Sequence, residues 1–223
     1  MTPLEELKAR ANPERAAQMA AYHKATRPVL GLPNAEVHEL ARTWRTSRSL
    51  AARVDLAASL WDSDIFEARL AAASLLTQAR MKEGEPLAWA ELARWVPGFD
   101  SWALADHACS AIGRRLVAQP ARLDEVESWT RHENMWVRRA ALVATLPWTK
   151  QNHPSDADRA IRARVLGWAA GYVPDRDWFI QKAIAWWLRE LSKHDAAPVR
   201  AFLATHGAAM KAFARKDAAR HLA

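Results

Sequence analysis

Cysteine is nearly missing from this chain, with Cys109 the single example in 223 residues. One thiol excludes an internal disulfide framework and any Cys-rich zinc site. It suits a reducing compartment, so a cytoplasmic protein is expected. Long apolar runs are missing as well. No stretch approaches the ~18 residues that would cross a bilayer, so no membrane partner is expected. The start, Met1-Thr2-Pro3-Leu4-Glu5-Glu6-Leu7-Lys8, has no basic segment leading into an apolar one, and no secretion signal is expected. Glycine is scarce, at seven residues. There is no Walker loop, GxGxxG or GxSxG, which argues against nucleotide cradles and hydrolase elbows. The eight histidines are scattered. His107 and Cys109 stand two apart and point in different directions on a helix. No metal and no cofactor are therefore expected, and Cys109 reads as a small buried apolar residue.

What the chain does have is helix formers, tryptophan and positive charge. Half the residues are apolar and 26% are charged, the balance of a folded domain. Tryptophan occurs twelve times. The formal net charge is +7 and the sequence pI near 10.0, which favours an anionic partner, nucleic acid first. Much of the excess lies in 178–223, where eight Lys/Arg face three Asp/Glu. That stretch is either a solvated face or a track for a phosphate backbone.

Apolar spacing predicts helices throughout, with no convincing strand alternation. Two short capping helices are expected in 3–25, divided at Asn12-Pro13-Glu14. Arg27-Pro28-Val29-Leu30-Gly31-Leu32-Pro33-Asn34 reads as a loop. Further helices are expected at 35–46 with Asn34 as cap, at 48–61, at 65–80 capped from Asp62-Ser63-Asp64, and at 87–95. After these come 101–117 capped by Asp100-Ser101, then 121–131, 133–146, 155–171, 176–193, 196–205 and 207–221. The whole of 1–223 reads as a single domain.

A degenerate repeat runs through these helices. Phe66-Glu67-Ala68-Arg69-Leu70 resembles Trp136-Val137-Arg138-Arg139-Ala140 and Phe179-Ile180-Gln181-Lys182-Ala183, with Trp102-Ala103-Leu104-Ala105-Asp106 between them. The successive offsets are 36, 34 and 43 residues. Such spacings fit HEAT-like antiparallel helix pairs, stacked into a superhelix with a concave basic groove. Each unit opens with an aromatic and carries Arg or Lys three residues on, except that of Trp102. There the third residue is Ala105, and Asp106 follows where the other units have Leu70, Ala140 and Ala183.

An acid at an otherwise apolar position is costly unless paired or solvated. Asp106 either locks two repeats together through an arginine such as Arg139, or is held for a cationic ligand. Trp102, four residues before it, shares its helical face. Arg139 is either a routine repeat arginine or, with its planar fork, a phosphate ligand. Trp186 and Trp187 are adjacent and cannot both face the core. Trp186 either packs on a neighbouring repeat or stacks on sugar or base.

Several segments, in order, resemble the AlkD family of DNA alkylation repair glycosylases. They are Asn12-Pro13-Glu14 with Met19-Ala20-Ala21-Tyr22, Leu30-Gly31-Leu32-Pro33, Leu60-Trp61, Ser101-Trp102-x-x-x-Asp106 and Trp136-x-x-Arg139-Ala140-Ala141. The most specific is Phe179-Ile180-Gln181-Lys182-Ala183-Ile184-x-Trp186-x-Leu188-Arg189-Glu190, and Ala218-Ala219-Arg220-His221-Leu222 closes the series. The resemblance implies an all-α HEAT-like stack that holds duplex DNA and hydrolyses the N-glycosidic bond of N3- and N7-alkylated purines. It implies action without drawing the damaged base into a pocket. By the same resemblance Asp106, Trp102, Trp186 and Arg139 face the lesion, and Tyr22 lies near the DNA. Arg138, Lys182, Arg189 and Lys193 are expected on the DNA as well, and the protein is expected to be a monomer. Two segments depart from the family pattern: Pro33-Asn34-Ala35-Glu36 after the Leu-Gly turn, and Arg138 where a neutral residue is frequent. The competing reading is a non-catalytic HEAT-like scaffold that binds DNA or protein.

Overall fold

The periodic stretches all form helices in the computed structural model, which describes residues 1–222. No strand occurs among the described residues. The helices group into two compact units, Met1–Ala118 and a second that begins at Gln119. The first unit holds α1 (Pro3–Ala9), α2 (Pro13–His23), α3 (Asn34–Thr46), α4 (Leu50–Asp62), α5 (Phe66–Leu76), α6 (Glu85–Trp95) and α7 (Trp102–Ala118). The second holds α8 (Leu123–Trp129), α9 (Met135–Val143), α10 (Asp156–Tyr172), α11 (Trp178–Ser192), α12 (Ala196–His206) and α13 (Ala212–Ala218).

Each unit is built around one helix. In the first it is α5, which packs against α3, α4 and α7. Its sequence, Phe-Glu-Ala-Arg-Leu-Ala-Ala-Ala-Ser-Leu-Leu, is apolar nearly all round, and only Arg69 and Ser74 keep partial exposure. Burying side chains such as Phe66, Leu70, Leu75 and Leu76 stabilises the unit by about 1.5–3 kcal/mol each. In the second unit α11 plays this part, packed against α9, α10, α12 and α13. Its Ile180, Ile184, Trp187, Leu188 and Leu191 are fully buried.

The repeat falls on equivalent places in these helices. Phe66 and Trp102 are the first residues of α5 and α7, and Trp136 and Phe179 the second residues of α9 and α11. Most of the tryptophan is core: Trp44, Trp61, Trp95, Trp129, Trp148, Trp168 and Trp187 are buried. Trp89, Trp102, Trp136, Trp178 and Trp186 keep some exposure.

Several expected caps are replaced by other contacts. Asn34 is the first residue of α3, not its cap, which is Pro33. The cap of α5 is Ile65, with no side-chain bond, because the Asp64 carboxylate accepts from Arg27 and Arg69 instead. Ahead of α7, Asp100 is engaged by Arg27 and Thr26, and the buried Ser101 hydroxyl has no hydrogen-bond partner. The expected helices at 121–131, 133–146 and 207–221 are shorter, with 3-10 turns at Pro120–Arg122, Leu146–Lys150 and Gly207–Ala209 beside them. Proline explains two of the turns: Pro120 and Pro147 each sit near the start, where a missing N–H costs nothing.

Candidate functional site

In the first unit the site begins with a glycine. Gly31 has φ +85, and a Cβ there would lie 2.3 Å from the Asn12 carbonyl oxygen and 2.6 Å from the Ala16 nitrogen. Only glycine lets the loop pass this close to the start of α2. The loop is held from beneath by Glu67, which is wholly buried on α5. Its carboxylate accepts from the backbone N–H groups of Leu30 (2.8 Å), Gly31 (2.7 Å) and Leu32 (3.3 Å). Asn12 N–H in turn donates to the Leu30 carbonyl at 2.8 Å. Through this chain of contacts a buried carboxylate on α5 sets where α2 lies.

The end of α2 delivers two aromatic residues to α7. The Trp102 ring lies 6.0 Å from Tyr22, edge to face, and 5.2 Å from His23. His23 also rests 4.8 Å from Phe66. Tyr22 is 72% exposed, so this cluster presents a phenol and an indole edge to solvent. Burial lowers the His23 pKa, and nearby His107 lowers it further against the pull of Glu67.

One turn beyond Trp102 on α7 is Asp106, partly exposed. Its repeat counterparts Leu70, Ala140 and Ala183 are at most 2% exposed. This position is therefore partly exposed on α7 where the matching positions of α5, α9 and α11 are closed. Cys109 is buried, as a small apolar residue should be.

The second unit gathers another part of the predicted set. Trp187 is fully buried, its indole N–H donating to Thr145 Oγ1 at 3.1 Å, while Trp186 on the next face keeps partial exposure. Arg139 is only 3% exposed. Its guanidinium donates to the Phe179 carbonyl at 2.9 Å and stands 5.9 Å above the Trp186 ring. Such a geometry fits a strut that orients Trp186 better than a ligand reaching for phosphate.

The other predicted cations differ in what they touch. Arg138 pairs with Asp175 at 3.1 Å and donates to the His132 and Glu133 carbonyls. Arg189 pairs with Asp217 at 2.7 Å, and Lys193 with Glu190 at 2.9 Å. Lys182 is exposed, its Nζ 4.5 Å from the centre of the Trp178 ring.

Sequence reasoning missed a histidine pair. His38 and His107 stack with centroids 5.6 Å apart, over an open cleft of about 420 Å³ in the first unit. They come from α3 and α7, and no spacing along the chain signals their meeting. No group of three or more His, Cys, Asp or Glu that could hold a metal is gathered among the described residues. No helix there is long and apolar enough to cross a membrane.

Residues 4–222 match the family model described as DNA alkylation repair enzyme. Three solved structures resemble the fold. A "Predicted DNA alkylation repair enzyme from Enterococcus faecalis" aligns with a TM-score of 0.77 at 23% identity, over 96% of this chain and 97% of that one. AlkD2 from Streptococcus mutans aligns at 0.62 and 18% identity, over 93% and 97%. The protein smu.31 from Streptococcus mutans UA159 aligns at 0.61 and 19% identity, over 83% and 90%. No match is found among curated proteins. With the family model spanning nearly its whole length, the chain belongs to the DNA alkylation repair enzymes.

Proposed function

We propose that this protein is a DNA glycosylase that hydrolyses the N-glycosidic bond of cationic N3- and N7-alkylated purines in duplex DNA. The observation that carries the reading is Asp106: a partly exposed carboxylate on α7, one turn from Trp102, at a position the repeat otherwise fills with buried apolar side chains. An alkylated purine already carries positive charge and departs as a neutral base with the bond's electron pair. The sugar is left oxocarbenium-like at C1′. Water adds there and gives up a proton, and an abasic site results. Asp106 stabilises the cation and orients the water.

Magnitudes fit an activated substrate. A charge pair at about 4 Å is worth roughly 4 kcal/mol at an effective dielectric of about 20. If half is specific to the transition state, the gain is about 30-fold. That serves a base already primed to leave and does little for normal nucleotides. Trp102 and Tyr22 would shape the sugar's surroundings, the indole adding cation–π attraction as charge develops. In the second unit Trp186 is assigned to DNA contact, with Arg139 as its positioning residue. Lys182 is assigned to phosphate, and Arg138, Arg189 and Lys193 to a supporting electrostatic role.

The test is release of free alkylpurine from methylated duplex DNA in EDTA, under single-turnover conditions. Wild type should release 3- and 7-methylpurines. Asp106→Asn should bind duplex with near-normal affinity and lose at least about 30-fold in rate. An unchanged rate removes Asp106 from the chemistry. No release by wild type leaves a DNA-binding scaffold.

A further inference from the structure

The cleft beneath the histidine pair is lined by His38, Arg42 and Arg45 of α3, Ser74 of α5 with Thr77 at its C-terminal cap, and His107 and Ser110 of α7. No carboxylate is in that lining. Its hydrogen-bonding state follows from its neighbours. The Ser74 hydroxyl donates to the Leu70 carbonyl at 3.0 Å, so its oxygen can only accept at the 2.7 Å contact with His38. The hydrogen of His38 therefore sits on Nδ1. His107 Nδ1 lies 2.7 Å from the Ala103 carbonyl, which also only accepts, so its hydrogen is on Nδ1 too. In both rings Nε2 is left to take the second proton. Thr77 and Ser110 donate to the carbonyls of Ala73 and Asp106 on their own helices. Besides the two guanidiniums, the donor the cleft can gain is thus Nε2 of His38.

Two stacked imidazoles with free Nε2 positions can also attract a metal ion. Two arginines at the same cleft, with no carboxylate to offset them, oppose a cation and favour an anion. Glu39 sits 3.9 Å from Arg42, and both side chains are about two-thirds exposed, so it neutralises little. We infer that the α3–α5–α7 cleft is an anion site that takes one phosphodiester of the bound DNA strand, held by Arg42, Arg45 and the protonated Nε2 of His38. Its identification as a DNA contact rests on the proposed function, because Ser110 and His107 lie within one turn of Asp106 on α7. The anion site itself stands on the lining alone.

The site is coupled to protons. Burial lowers the His38 pKa, and the adjoining His107 lowers it further. A phosphate drawn into the cleft reverses that sense by favouring the charged ring. The other charged groups near the pair are Arg42, Arg45 and Glu39 on α3, Arg53 on α4 close to Arg45, His23 on α2 and Asp106 beside His107. On α5 the lining residues are uncharged.

The experiment follows the histidine side-chain nitrogens by NMR in the full chain, with undamaged duplex and, separately, with inorganic sulfate, whose charge does not change across the histidine range. Saturating duplex should raise the His38 titration midpoint and move Nε2 from the unprotonated to the protonated range. Sulfate should do the same weakly. Arg42→Gln/Arg45→Gln should abolish both shifts, weaken duplex binding about tenfold and make its log–log salt slope shallower by about 1. Both arginines retain exposure, and Gln keeps most of their stems, so the fold should survive. Duplex that binds without moving His38 overturns the inference. A shift with sulfate alone makes this a free-anion site and overturns the DNA assignment. Asp106→Asn should retain the duplex-induced shift, so failure of the glycosylase reading and failure of the cleft are read apart.

Discussion

The two units solve one problem with different chemistry. Each has a central helix whose first turns carry a fully buried polar side chain that anchors a loop. In the first unit it is Glu67, an acceptor for three backbone N–H groups of 30–32. In the second it is Gln181, whose amide donates to the Val173 and Asp175 carbonyls and accepts from the Lys211 N–H. A carboxylate can only accept, so it suits a loop that turns its N–H groups inward. An amide can do both, so it ties carbonyls on one side to an N–H on the other. The units differ again in their arginines. Arg42 and Arg45 face a cleft lined without an acid, whereas Arg138 and Arg189 are paired with Asp175 and Asp217. Net charge by segment is therefore a poor guide to where a phosphate would bind. The C-terminal stretch carries the larger excess, yet each of its acids is engaged by arginine or lysine.

The comparison breaks first at the anchors. Glu67→Ala should lower stability by about 3–5 kcal/mol, since three N–H groups, two of them buried, lose a charged partner at once. Gln181→Ala should cost about 2–3 kcal/mol, because its groups are neutral. Denaturant unfolding of the two variants checks the order. Equal losses would mean that charge adds nothing to the first anchor. Because Glu67 sets the place of α2, its loss should also relax the packing of Tyr22 and His23 against Trp102.

A smaller effect separates Arg139 from Lys182. Arg139→Ala removes a buried guanidinium and leaves the Phe179 carbonyl without that donor, which should cost about 2–3 kcal/mol. It should change Trp186 fluorescence while the salt slope of duplex binding stays the same. Lys182 is exposed, and Lys182→Ala should leave stability nearly unchanged and make that slope shallower by about 1. A shallower slope for Arg139→Ala would return it to the phosphate-contact role the sequence suggests.

Much of this was legible in the chain, and the reasons are local. Helix period, proline and Asx signals located the helices, because those depend on neighbours within a few residues. The exclusion of adjacent tryptophans from one face separated Trp186 from Trp187 for the same reason. The repeat register singled out Asp106, since one acid among Leu70, Ala140 and Ala183 is visible without coordinates. What stayed hidden depends on distant partners. Asp64 and Asp100 look like caps, but Arg27 claims both from across the unit. Arg139 reads as either a routine repeat arginine or a phosphate ligand, and its bond to the Phe179 carbonyl forty residues away is not signalled by the sequence. His23, His38 and His107 come from three helices, and nothing in their spacing joins them.

That histidine group supplies the gentlest contrast between the units. Burial lowers the pKa of both His23 and His38. A histidine kept neutral by folding contributes stability that is intact above its unfolded pKa. As pH falls from the ordinary value of about 6.5 toward the lowered folded value, the unfolded chain takes up protons that the folded chain refuses. The first unit should therefore weaken over that interval and level off below it. Hydrogen exchange across pH 7 to 5 should show protection falling in α2, α3 and α7 while the core of α11 holds. His23→Phe/His38→Gln should flatten the trend, for then no neutral imidazole remains at those two positions to be charged on unfolding. A fall of equal size in α11 would place the acid sensitivity outside the histidines and remove the contrast.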